Sequence, residues 1–233
     1  MTELRYVENL YRLYDRLHRE FPGIMLDNCA SGGRRIDIET LRRSVPLWRS
    51  DYQCPANYDD YAAQCHTLSF NSWMPYSGTG TGRLYDTYRI RSSFGASLAT
   101  NFTYAEDENF GDDPEKMEFL RKTYAEYRKA RPYFSEDFYP LSEISDKTDV
   151  WCAWQFDRPD KKDGMVQVFR RENAPYTSAS YLLGGIDQNA VYTFTDSDTN
   201  GSFTVSGKEL AQNGFCVTLP EKRSSKVFFY LHS

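Results

Sequence analysis

Several things are missing from this chain, and each absence closes a class of function. Its five cysteines (Cys29, Cys54, Cys65, Cys152 and Cys216) form no CxxC pair and no Cys/His cluster at metal-ligand spacing, which excludes the usual structural zinc sites. An odd, scattered set also argues against a disulfide framework. No apolar run approaches the roughly 18 residues of a membrane span, and Met1 to Leu10 is polar and amphipathic rather than a signal-peptide core. A reducing, cytoplasmic setting is expected. Acids and bases interleave to a net charge of -5, so no basic block recruits nucleic acid or an anionic membrane, and a neutral partner fits better. Gly78-Thr79-Gly80-Thr81-Gly82 lacks both the Lys-Ser/Thr ending of a phosphate-binding loop and GxGxxG spacing, and reads as a loop at the end of a strand. Glu106-Asp107-Glu108 and Asp112-Asp113 lack EF-hand spacing and read as an acidic approach to a helix N-terminus.

What is present is an ordinary globular composition, 40% hydrophobic and 26% charged, with enough apolar residues for one large core or two small ones. The aromatic content of 16% suits sugar-stacking surfaces and suits a β-rich core equally well. Tyr6, Leu10, Leu13, Leu17 and Phe21 recur at three- and four-residue steps, predicting a helix over 1–21 stopped by Pro22-Gly23. Ile24-Met25-Leu26 then reads as a buried parallel strand delivering the polar loop Asp27 to Gly33. The pattern repeats with a helix near Asp37 to Arg43, a strand Val45 to Trp48 and the loop Arg49-Ser50-Asp51. A third strand is expected at Leu68-Ser69-Phe70 running into Trp73, and a fourth between Phe94 and Phe102. A helix over Asp113 to Ala130 is signalled by Asp113 as N-cap, Pro114 at its first position, and Met117, Leu120, Tyr124 and Tyr127 on one face.

Beyond about Leu141 the period changes to two, in short runs such as Val166, Val168 and Val227, Phe229, Leu231. Asp163-Gly164, Gly184-Gly185, Asn200-Gly201 and Asn213-Gly214 punctuate these runs as turn signals. The expected architecture is therefore α/β over 1–141 followed by an antiparallel β-sandwich over 142–233. A complete (β/α)8 barrel needs about 250 residues, so the α/β part is either a small open sheet or half a barrel.

Two loops can carry chemistry. In Asn28-Cys29-Ala30-Ser31-Gly32-Gly33-Arg34-Arg35, adjacent glycines after a strand let backbone approach a ligand, although the same residues could form a plain strand-to-helix turn around a buried Cys29. Cys29 has no histidine or other base nearby in sequence to make it a nucleophile. In Trp48-Arg49-Ser50-Asp51 an indole that can face a pyranose stands three residues from a carboxyl group that can protonate a glycosidic oxygen. A core Trp and a helix-capping Asp is the competing account.

Taken together, CxxGGxR at Cys29 to Arg34 followed by WxSD at Trp48 to Asp51 resembles the glycoside hydrolase family 36 α-galactosidases. Tyr192 to Asp198 and Gly214 to Pro220 are similar to that family's C-terminal β domain. The resemblance implies that the chain is the C-terminal half of a (β/α)8 catalytic barrel plus the β-sandwich domain. It implies Asp51 as acid/base, Trp48 as a wall of the sugar site, and Cys29 and Gly32 as pocket lining. It also implies hydrolysis of terminal α-linked galactose with retention, no metal or nucleotide cofactor, and an α-galactoside oligosaccharide as substrate. An α-N-acetylgalactosaminidase on the same scaffold and a non-catalytic sugar-binding or assembly fragment are the alternatives. A retaining enzyme needs a second carboxylate about 5–5.5 Å from the first. In the family that nucleophile lies upstream of the CxxGG strand, where this chain has only a helix containing Asp15 and Glu20. A homo-oligomer or a complementary N-terminal barrel segment is the partner this implies.

Overall fold

A computed structural model describes every residue except 1, 30, 56–57, 75, 82–84 and 101–112. The expected acidic loop at Glu106 to Asp112 therefore lies outside the described residues, as do Phe102 and Gly82.

Helix α1 (Thr2–Glu20) forms where the periodicity places it, yet none of its residues is buried. It is tied to the chain mainly by polar contacts around Arg43, which pairs with Asp15 at 2.7 Å, lies 4.9 Å over the Tyr11 ring and offers its carbonyl to His18 at 2.6 Å. Leu13, Phe21 and Met25 are 50%, 56% and 61% exposed. Surface pairs of this kind contribute about 0–1 kcal/mol each, and helices in proteins draw most of their stability from a packed apolar face. Among the described residues nothing buries the stripe that predicts the helix.

Four backbone segments run parallel in chain order. Asn28 donates to the Val45 carbonyl and Val45 to the Leu26 carbonyl, both at 2.9 Å. Gly78 donates to the Pro46 carbonyl at 2.7 Å and Arg49 to the Gly78 carbonyl at 3.0 Å. Strand β1 (Gly78–Gly80) then pairs parallel with β2 (Ser97–Ala99). The first segment, expected as a buried strand, is a single bridge at Asp27, and Ile24 and Met25 are exposed because no strand among the described residues lies on their other side. Helix α2 (Ile38–Leu41) is one turn, capped by Asp37 Oδ1 accepting from Thr40 N at 2.9 Å.

The third strand falls elsewhere than expected. Leu68 to Phe70 belongs to helix α3 (Asp60–Phe70), whose buried Ala63, Gln64, Thr67 and Leu68 form a helical stripe. The strand is the glycine run read above as a loop. A Cβ at Gly78 would lie 1.7 Å from the Leu47 carbonyl oxygen, so the close neighbour requires glycine there. Helices α4 (Thr87–Ser92) and α5 (Pro114–Ala130) complete this part, with Asp113 accepting from Glu115 N and Lys116 N as the cap.

The remaining strands are β3 (Asp137–Pro140), β4 (Trp151–Arg158), β5 (Asp163–Arg170), β6 (Ser178–Tyr181), β7 (Val191–Asp196), β8 (Ser202–Ser206), β9 (Phe215–Thr218) and β10 (Ser224–His232), with helix α6 (Gly207–Asn213) before β9. Six form one antiparallel sheet in the order β3-β4-β5-β10-β7-β8, while β6 and β9 form a small second layer. Alternation along β10 divides the core. Val227 and Phe229 join Phe156 and Phe169 against Phe94, Tyr127 and Phe134 of the α/β part, whereas Phe228 and Tyr230 face Phe215 and Leu210 of the second layer. Both faces of the central strands are covered.

Two glycine signals mark something other than hairpin turns. Gly164 lies within β5, where a Cβ would come 2.2 Å from the Tyr230 ring, and the reversal is made upstream with Lys162 at φ 56°. Gly214, at φ 76°, ends α6, a helix absent from the expected run of strands.

Candidate functional site

The two motif loops meet at the ends of the first two parallel segments. Ser31, Gly32 and Gly33 have φ of 45°, 58° and 107°, so the loop passes through three left-handed residues, two of them glycine. That path lays Gly32 directly on Asp51. A Cβ at Gly32 would lie 2.1 Å from Asp51 N and 2.6 Å from Asp51 Cγ. From the second loop, Trp48 Nε1 donates to Asp51 Oδ1 at 3.0 Å, fixing one carboxylate oxygen and leaving the other free. Behind the indole is Gly80, whose Cβ would come 2.3 Å from the ring. The bare backbone of β1 is the seat of the Trp48 ring.

The competing account of these residues does not describe them. Trp48 is only partly buried, and the capping residue is Ser50, whose Oγ accepts from Tyr52 N at 3.1 Å, while Asp51 opens the 3-10 turn Asp51–Gln53 exposed to solvent. The turn is held from outside by Tyr52 Oη, which donates to Asp59 Oδ2 at 2.9 Å.

The structure thus brings Gly32, Trp48 and Asp51 into contact, with Cys29 exposed beside them. It adds a residue that sequence reasoning missed. Cys54, one short turn beyond Asp51, has its thiol pushed up by burial and by the Asp51 charge, with Cys29 adding to the rise and the Trp48 indole opposing it. The thiol is therefore protonated at neutral pH. Its signal was the offset of three from Asp51, which a 3-10 turn brings back to the same side. Among the described residues no group of three side chains is arranged to hold a metal ion.

Asp15 and Glu20 do not join this site. Both stay on α1, Asp15 paired with Arg43 and Glu20 with Arg16 at 2.6 Å.

Gly32→Ala tests the contact directly. It would impose about 1–2 kcal/mol of left-handed strain and drive the new methyl into Asp51, so the Trp48 to Asp51 hydrogen bond breaks. The expected readout is a shift in Trp48 fluorescence at pH 7. An unchanged spectrum in a folded variant would contradict the arrangement.

The melibiase family model matches residues 1–67, and the model of the glycosyl hydrolase family 36 C-terminal domain matches residues 151–230. The chain is 27% identical to α-galactosidase AgaA of Geobacillus stearothermophilus over 97% of its length, which is 30% of that protein. It is 27% identical to α-galactosidase 1 of Pediococcus pentosaceus over 91% of its length and 28% of that protein. A stretch of 41 residues is 51% identical to an Escherichia coli α-galactosidase. Among solved structures, the α-galactosidase of Lactobacillus brevis superposes with a TM-score of 0.75 at 22% identity, covering 98% of this chain and 32% of that one. The raffinose complex of a doubly substituted variant of the Geobacillus AgaA superposes at 0.74 and 20% identity, covering 98% and 32%. This chain spans about a third of the length of the relatives it matches.

Proposed function

This chain belongs to glycoside hydrolase family 36, and from that premise we propose that it supplies the acid/base half of a retaining α-galactosidase site. The four parallel segments are then the second half of a (β/α)8 barrel, and the loops at Gly32 and Asp51 lie on the face where barrel enzymes carry their chemistry. The contact of Trp48 and Gly32 with Asp51 carries this reading. It leaves a carboxyl group one hydrogen bond from an indole that can face the sugar.

In the first step Asp51 gives its proton to the departing glycosidic oxygen as a carboxylate from elsewhere attacks the anomeric carbon. In the second, Asp51 takes a proton from water as that water displaces the enzyme carboxylate, so configuration is retained. Trp48 orients Asp51 and faces the sugar, while Cys29 and Gly32 line the pocket. Raffinose in complex with the Geobacillus relative suggests small oligosaccharides with terminal α-galactose as substrates.

The attacking carboxylate would come from the barrel half that precedes the CxxGG strand in the relatives. That half, or a second copy of this chain, would cover the exposed face at Leu13, Phe21 and Met25. The test is release of p-nitrophenol from p-nitrophenyl α-galactoside. The chain alone should release none, and the chain combined with the upstream two-thirds of the Geobacillus protein should turn over. Turnover by the chain alone would place the nucleophile within it or a second copy. Faster hydrolysis of the N-acetylgalactosaminide would overturn the substrate assignment.

A further inference from the structure

Arg49 stands between Trp48 and Asp51 in sequence, but its side chain runs under α3. It is 1% exposed. Nη2 donates to Thr67 Oγ1 at 2.9 Å and to the Ala63 carbonyl at 3.4 Å, while Nε and Nη1 are buried without a hydrogen-bond partner. Nε carries one N–H and Nη1 two, so three donors lack an acceptor, and the charge meets the Phe70 ring, 5.9 Å from its centroid, rather than an anion. The other buried arginines are treated differently. Arg91 binds Glu126 and Asp198, Arg89 pairs with Asp60, Arg170 donates to three backbone carbonyls, and Arg171 reaches Gln64 and two carbonyls.

No carboxylate among the described residues forms an ion pair with Arg49, and the acids at the start of α3 have other partners. Asp59 accepts from Tyr52 and Tyr61, and Asp60 pairs with Arg89 and Arg223. Burial pulls the guanidinium down only to about 10, so it is charged at neutral pH. His66 lies close by with its Nδ1 also buried and unpartnered, and is neutral there because burial and the Arg49 charge push it down to about 4. An unpaired buried charge is strongly destabilising, so the charge calls for a counterion.

We propose that Arg49 holds a small monovalent anion of the halide class, enclosed between the second parallel segment and α3 beside His66. A single charge is matched by a single charge, and the enclosure of the guanidinium excludes large anions. The site is independent of the glycosidase reading and would brace the carboxylate loop from behind.

Thermal unfolding of the 233-residue chain in sodium chloride or bromide, against sodium gluconate at equal ionic strength, tests this. The expected result is a saturable halide-specific rise of about 2–4 °C in the midpoint, absent in Arg49→Met. Should that variant fail to fold, crystals of the unaltered chain in bromide decide the matter, with an anomalous peak expected in hydrogen-bonding reach of Nε or Nη1. Coincident halide and gluconate curves without such a peak would overturn the proposal. So would density showing only water or another molecule's carboxylate against the guanidinium.

Discussion

Asp51→Asn, in the chain complemented with the upstream two-thirds of the Geobacillus relative, should lower kcat/KM for raffinose by about 10²–10⁴-fold while leaving a dinitrophenyl α-galactoside much less affected in its first step. The amide is the same size as the carboxyl group, and its oxygen can still accept from Trp48 Nε1, so the contact with Gly32 survives. What is lost is the proton. A sugar alkoxide cannot leave without one, whereas dinitrophenolate can. The second step loses its base as well, so the dinitrophenyl substrate should give a burst followed by slow turnover. Azide, a nucleophile that needs no base, should restore the steady rate and form galactosyl azide. Equal losses on both substrates, with no burst and no rescue, would assign Asp51 a structural role.

The part of this site that was legible in the sequence is the part made by residue type at fixed offset. Cys29 to Arg34 and Trp48 to Asp51 stood out because together they resemble a pair of family motifs, but that Gly32 lies directly on Asp51 depends on three successive left-handed residues, which no spacing reports. Gly78 and Gly80 were misread for a related reason. Their side-chain-free backbone fits against Leu47 and Trp48 from a neighbouring segment, and no local pattern reports a neighbour. Leu68 to Phe70 looked like a strand because a short apolar run is ambiguous, and the helical stripe from Ala63 to Leu68 mixes Gln64 and Thr67 with the apolar residues. In the β part, the alternating run of Val166 and Val168 falls in strand β5, but the pairing of β10 between β5 and β7 is a long-range choice made by the two cores. Helix α1 was located correctly, but the exposure of its apolar stripe was not legible, since burial depends on what lies beside a helix.

The second large effect is expected at the joint between the two parts, where Arg91→Ala should destabilise the chain by about 3–5 kcal/mol, or roughly 10 °C in thermal midpoint for a chain of this size. The Arg91 side chain is 5% exposed and clamps three elements. It meets Glu126 of α5 at 2.7 Å, Asp198 after β7 at 2.5 Å and the Ser225 carbonyl of β10 at 3.0 Å. Removing it leaves Glu126, itself 12% exposed, facing Asp198 without a cation except Lys226, which lies 3.3 Å from Asp198. Replacing Arg91 and Glu126 together by Met and Leu should cost less than Arg91→Ala alone, because the stranded carboxylate goes with its partner. The pH dependence separates this account from simple loss of packing. Burial raises the Asp198 carboxyl, but the hydrogen bond and charge of Arg91, with Lys226, outweigh it and hold the group below the ordinary carboxylate range. A depressed carboxylate contributes stability that is present above its unfolded value, near 3.9, and is lost as pH falls through the folded value. The unaltered chain should therefore lose stability on acidification below about pH 4, and Arg91→Ala should flatten that limb. Parallel acid limbs in the two proteins would show that Arg91 acts through packing alone.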